Sequence, residues 1–112
     1  MRSVGQLAIA VLIAAGTTVS AQDKAAIDRG TQVYAAQKCN VCHSVAGKGN
    51  KKGPMDGVGA KLSADEIRQW IVNAPEMAKK AKATRKPPMK SYPNLPKEDV
   101  DALVAYMQSL KG

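Results

Sequence analysis

The sequence predicts a small all-α domain with three main helices and long connecting loops. Apolar residues recur at helical spacing in three separate stretches, and no alternating strand pattern lies between them. The connecting stretches are rich in glycine, proline and lysine. Both cysteines and the only histidine fall within five residues, Cys39-Asn40-Val41-Cys42-His43. One bound group can therefore organise the whole chain.

The first 21 residues read as a signal peptide outside the fold. Arg2 supplies a positive start, residues 7–15 an apolar run, and Val19-Ser20-Ala21 the small residues of a peptidase site. A membrane span needs about 20 apolar residues, so this run is short for an uncleaved anchor. No other stretch could span a bilayer, which leaves no stable membrane insertion after cleavage. Cleavage after Ala21 leaves 91 of the 112 residues, enough for one domain. Residues 22–112 hold no phenylalanine. A core that small needs a staple such as a cofactor.

Residues 25–37 form the first predicted helix, with Asp23 as its N-cap. Gly30 inside it costs about 1 kcal/mol against alanine, which implies close approach of another helix. Tyr34 shares that face. Residues 44–61 read as a loop carrying five glycines and Pro54. Ser63 and Glu66 match a capping box for the second helix, whose apolar face is Ile67, Trp70, Ile71 and Ala74. Asn73 and Pro75 mark its end. Residues 75–95 are irregular apart from a short helical segment at 76–83. Pro96 opens the last helix, with acids in its first turn and an apolar stripe at Val100, Leu103, Val104, Met107 and Leu110.

Cys-x-x-Cys-His is the attachment signature of a c-type haem. Two thiols on one helical turn reach the two vinyl groups of one porphyrin edge, and the following histidine lies under the iron. A thioredoxin-like dithiol would need a βαβ context, which is absent from the pattern. Zinc would need further Cys or His ligands, and none remain. A proximal histidine donates its second ring N–H to a carbonyl, and Pro54 in the Gly53-Pro54 turn is the candidate acceptor. The same two residues also fit an ordinary turn. Trp70 fits core packing, and its indole N–H also suits a haem propionate.

The single histidine rules out a second one at the sixth iron position, so methionine is the next choice. Met107 belongs to the core stripe, and Met55 lies only 12 residues beyond His43. Met77 is feasible. Met89 is the best candidate, 46 residues beyond His43 and stiffened by Pro87, Pro88 and Pro93.

These features in order, from Gly30 and Tyr34 through Cys39-Asn40-Val41-Cys42-His43, Gly53-Pro54, Trp70 and Met89 to Leu103-Val104-Ala105-Tyr106-Met107, resemble a class I c-type cytochrome. The resemblance covers nearly all of residues 22–112. It implies a cytochrome c-like fold wrapped around one covalent haem c. It also implies His43 and Met89 as iron ligands, the Pro54 carbonyl behind His43, and a helix crossing at Gly30, Tyr34, Leu103 and Tyr106. One departure is Pro88-Met89-Lys90, where family members often carry Met-Pro. The backbone after the ligand is then less constrained.

The expected function is an electron carrier. Two filled axial positions leave no place for a substrate, so the chain is not expected to be an enzyme. Rival functions are a gas-binding or peroxidase-like protein with an open sixth position, and the cytochrome subunit of a dehydrogenase complex. Export to a bacterial periplasm, as monomer or subunit, follows from the leader. The whole chain has a net charge of +8, and losing Arg2 with the leader leaves +7. That permits nucleic-acid binding, but export and the lack of a binding motif argue for no nucleic acid. Lysines and Arg85 cluster at 79–90 and 48–52, so the expected redox partners present acidic docking surfaces.

Overall fold

The computed structural model describes residues 21–112, and the leader expected at 1–21 lies outside them except for Ala21. Helix α1 (Ala21–Ala36) leads into a 3-10 turn at Cys39–Val41. A hairpin of β1 (Ser44–Val45) and β2 (Lys48–Gly49) follows, then the single turn α2 (Val58–Lys61). Helices α3 (Ala64–Val72), α4 (Ala74–Lys80) and α5 (Lys97–Ser109) complete the fold. Among the described residues no helix is long and apolar enough to cross a membrane.

The three expected main helices are α1, α3 and α5, and α4 corresponds to the short segment expected at 76–83. Several boundaries differ for physical reasons. Asp23 lies in the first turn of α1 rather than capping it, where its charge suits the helix dipole. Pro75 falls in the first turn of α4, so it opens a helix as well as closing off α3. Ala74 therefore begins α4 instead of extending the α3 face. Pro96 is the N-cap of α5 and not its first residue.

The hairpin and α2 lie inside the stretch expected to be loop. Ser44 pairs with Gly49 and Val45 with Lys48. Ala46 and Gly47 both have positive φ, 51° and 79°, as a two-residue type I′ hairpin requires. The Asp56 carboxylate accepts the Ala46 N–H at 2.9 Å and so supports this unusual alanine.

Helix α1 crosses α5 where Gly30 lies. A Cβ there would collide with the Ala102 carbonyl oxygen and sit 2.6 Å from Tyr106 Cβ. One turn on, Tyr34 and Tyr106 meet edge to face, with centroids 5.6 Å apart and planes at 89°. The expected crossing is thus present. Val33, Ile67, Ile71, Val100, Leu103, Val104 and Met107 form the buried cluster, including the packing role expected of Met107. Ion pairs Arg29–Asp99 (2.7 Å) and Arg68–Asp101 (2.6 Å) link α5 to α1 and α3. Such exposed pairs contribute about 0–1 kcal/mol each.

Candidate functional site

The helices leave their centre unfilled. Among the described residues no large side chain is fully enclosed, and a cavity of about 730 Å³ lies where a larger core would be. Tyr34 of α1, Ile67, Trp70 and Ile71 of α3, and Leu103 and Met107 of α5 form much of its wall. Cys39, His43, Pro54, Met77 and Met89 also face it. Cys42 is half-buried beside it and does not line it.

The pentapeptide forms one tight turn. Cys42 and His43 both donate their N–H to the Cys39 carbonyl, at 3.1 and 2.9 Å. Cys39, Cys42 and His43 are thus grouped as the spacing implied. Asn50, which sequence reasoning missed, clamps this turn from the hairpin side. Its N–H reaches the carbonyls of Asn40 (3.1 Å) and His43 (3.0 Å), and its side-chain amide reaches that of Val41 (3.1 Å).

The acceptor behind His43 is the Gly53 carbonyl, 3.0 Å from Nδ1, and not that of Pro54. The expectation was one residue off. Ser44 pairs with Pro54 in a parallel bridge, and Gly53 also accepts the Ser44 N–H at 3.1 Å. Successive carbonyls of an extended chain point in opposite directions, so the one beside His43 belongs to Gly53. Gly53 is also hemmed in, because a Cβ would strike the Cys42 carbonyl and the Arg85 guanidinium. A carbonyl at Nδ1 fixes the proton there and leaves Nε2 with its lone pair free for a metal. Burial holds the His43 pKa below its ordinary value. The Gly53 hydrogen bond opposes that shift and nearby Arg85 adds to it. A neutral imidazole is the form that binds a metal.

Burial pushes the Cys39 thiol up. It is also the main cause that raises the Tyr34 hydroxyl to about 12, with smaller contributions from Cys39, Tyr106 and Asp56. The Tyr34 oxygen is buried with no hydrogen-bond partner in the protein. A buried polar atom left without a partner is costly, which fits a further group beside it. Among the described residues no three His, Cys, Asp or Glu side chains gather to hold a metal ion. An apolar cavity of ligand size, two adjacent thiols, one neutral histidine and four wall methionines, Met55, Met77, Met89 and Met107, instead suit a porphyrin.

The family model for cytochrome c matches residues 27–111. The chain belongs to the cytochrome c family. It is a class I c-type cytochrome, and its cofactor is covalent haem c with iron. Haem c supplies one-electron exchange at its iron, so this cytochrome serves electron transfer and meets redox partners. Its sequence is also similar to cytochrome c oxidase subunit 2 of Alkalihalophilus pseudofirmus, 30% identical over 92 residues. That match covers 75% of this chain and 25% of the relative, so the chain spans about a quarter of the relative's length. No solved structure gives a significant match.

Trp70 and the candidate distal methionines are less specifically placed than the pentapeptide. Trp70 is half-buried in the cavity wall, which serves packing and haem contact alike. Met77 and Met89 both reach the wall, so lining alone does not choose between them.

Proposed function

We propose that residues 22–112 of this cytochrome act as an exported carrier of single electrons, in a bacterial periplasm or an equivalent compartment, after removal of a leader at 1–21. Cys39 and Cys42 would carry the thioether links to the haem, and His43 and Met89 would ligate its iron. The observation that carries this is the convergence of His43, Met77 and Met89 on one cavity, which Met55 and Met107 also line. The chain can then supply both axial positions itself, which argues against an enzyme. Met89 is preferred because its backbone belongs to a proline-stiffened loop that can close over the cavity. Met77 sits on a helix whose backbone bonds fix its position independently.

The test is carbon monoxide added to the reduced protein. A closed sixth position predicts no binding at neutral pH. Rapid, tight binding would point to the gas-binding or peroxidase-like alternative.

Lys79, Lys80, Lys82, Arg85, Lys86 and Lys90 are all exposed, with Lys80 and Arg85 at the cavity wall, and Lys48, Lys51 and Lys52 are exposed in and just after the hairpin. Every acid except Asp56 lies on a helix. The charge favours partners with acidic surfaces, met in small, short-lived interfaces. The relative's name favours a second context for the same chemistry, as the cytochrome component of a larger complex, an oxidase before a dehydrogenase. Co-purification from the native membrane distinguishes that context from a free carrier.

A further inference from the structure

Ser91 stands two residues beyond Met89, in the irregular stretch between α4 and α5. Its hydroxyl oxygen accepts the backbone N–H of Ala74 at 3.0 Å, and Ala74 is wholly buried. Ala74 opens α4, so its N–H has no partner within the helix. The preceding residue, Asn73, makes no side-chain cap there. Ser91 thus pairs from a distant loop a donor that would otherwise be orphaned.

Tyr92 adds a second tie. Its N–H bonds the Ile71 carbonyl at 2.8 Å, near the end of α3. The Lys90 ammonium lies 5.1 Å from the Tyr92 ring centre, which folds that side chain back along the loop. Residues 90–92 therefore hold the loop against the junction of α3 and α4. The same stretch lacks a proline after Met89. A proline there would fix φ, whereas Lys90 leaves it free. The two hydrogen bonds restrict the loop in its place.

We infer that Ser91 is a positioning residue for Met89. By bonding the Ala74 N–H, it holds the loop that carries the sulfur against the cavity and strengthens the bond from Met89 to iron. Ala74 also begins the helix that carries Met77, so one hydrogen bond fixes the loop of one methionine against the helix of the other. This inference rests on Met89 being the distal ligand. A purely structural Ser91 would stabilise the fold without affecting that bond.

The test uses the haem-loaded chain and imidazole, which competes with the methionine sulfur for ferric iron. Ser91→Ala should bind imidazole roughly tenfold more tightly than wild type, the scale of one buried hydrogen bond left unmade. Ser91→Thr, which keeps a hydroxyl, should restore wild-type affinity. A lower melting temperature with unchanged imidazole affinity would overturn the inference and leave Ser91 structural. A second measurement needs no variant. Coupling between sites is reciprocal, so saturating imidazole on the wild type should speed hydrogen exchange at the Ala74 amide. An unchanged exchange rate would also overturn the inference. Met89→Ala separates the ligand assignment from the role of Ser91. If that variant keeps its sulfur-to-iron charge-transfer band, the ligand assignment fails and Ser91 falls with it. If the band is lost while Ser91→Ala behaves as wild type, only the role of Ser91 is wrong.

Discussion

Met89 and Met77 face the same cavity from different kinds of backbone, and that difference is why Met89 is proposed as the iron ligand. Met77 is held by α4, where the Ala81 N–H bonds its carbonyl at 2.9 Å. Met89 lies in a loop bounded by prolines and tied down at Ser91 and Tyr92. Met89→Ala should abolish the charge-transfer band and lower the reduction potential, because a methionine ligand raises it. Met77→Ala should leave both nearly unchanged, and visible spectroscopy with a redox titration checks the pair. The candidate ligating residues stand out in the sequence because chemistry restricts them to a few residue types. Cys39, Cys42 and His43 are the chain's only cysteines and histidine. The partner of His43 was legible only to within one residue. The Gly53-Pro54 turn marks the place, but the direction of a carbonyl depends on the Ser44 bridge, which no local signal announces. Asn50 and Ser91 were missed for the same reason, since each acts on backbone groups distant in sequence.

At the scale of elements, the α1–α5 crossing rests on a residue with no side chain. Gly30→Ala would push a methyl into the Ala102 carbonyl and should cost about 1–3 kcal/mol, measured by denaturant unfolding of the haem-loaded protein. Helix α3 starts with both halves of a capping box. The Glu66 N–H reaches the Ser63 hydroxyl at 3.2 Å, and the Ser63 N–H reaches the Glu66 carboxylate at 3.0 Å. Ser63→Ala should cost about 1 kcal/mol. The Ser63 N–H, then its hydroxyl, hold the Glu66 pKa below its ordinary value. A depressed carboxylate pKa adds stability at neutral pH that is lost as pH falls through it. The advantage of wild type over Glu66→Gln should therefore vanish on acidification, as thermal melts across pH would show. The long amphipathic helices were legible because periodicity accumulates over several turns. The two-residue strands and four-residue α2 are too short to carry a period, and their geometry is set by Asp56 and by contact with α5. The α2 contact includes a hydrogen bond from Gly59 N–H to the carbonyl of Leu110, the C-cap of α5, at 2.8 Å.

At the scale of the molecule, the helices enclose a space their own side chains do not fill, and Lys61, Lys80 and Arg85 stand at its wall. Exposed charges are screened beyond about 8 Å at physiological salt. Electron transfer with an acidic partner should therefore slow as ionic strength rises. Reversing the charge of Lys86 or Lys90 should slow it more than reversing Lys111, near the end of the chain, in stopped-flow kinetics. Equal effects at all three positions would make the basic loop a matter of solubility alone. A haem that the chain itself holds covalently would fill that space and carry the electron. Mass spectrometry of the exported, denatured protein tests this most directly. It should show residues 22–112 plus one haem, with the adduct mapping to Cys39 and Cys42. Two free thiols and no added mass in properly matured protein would contradict it.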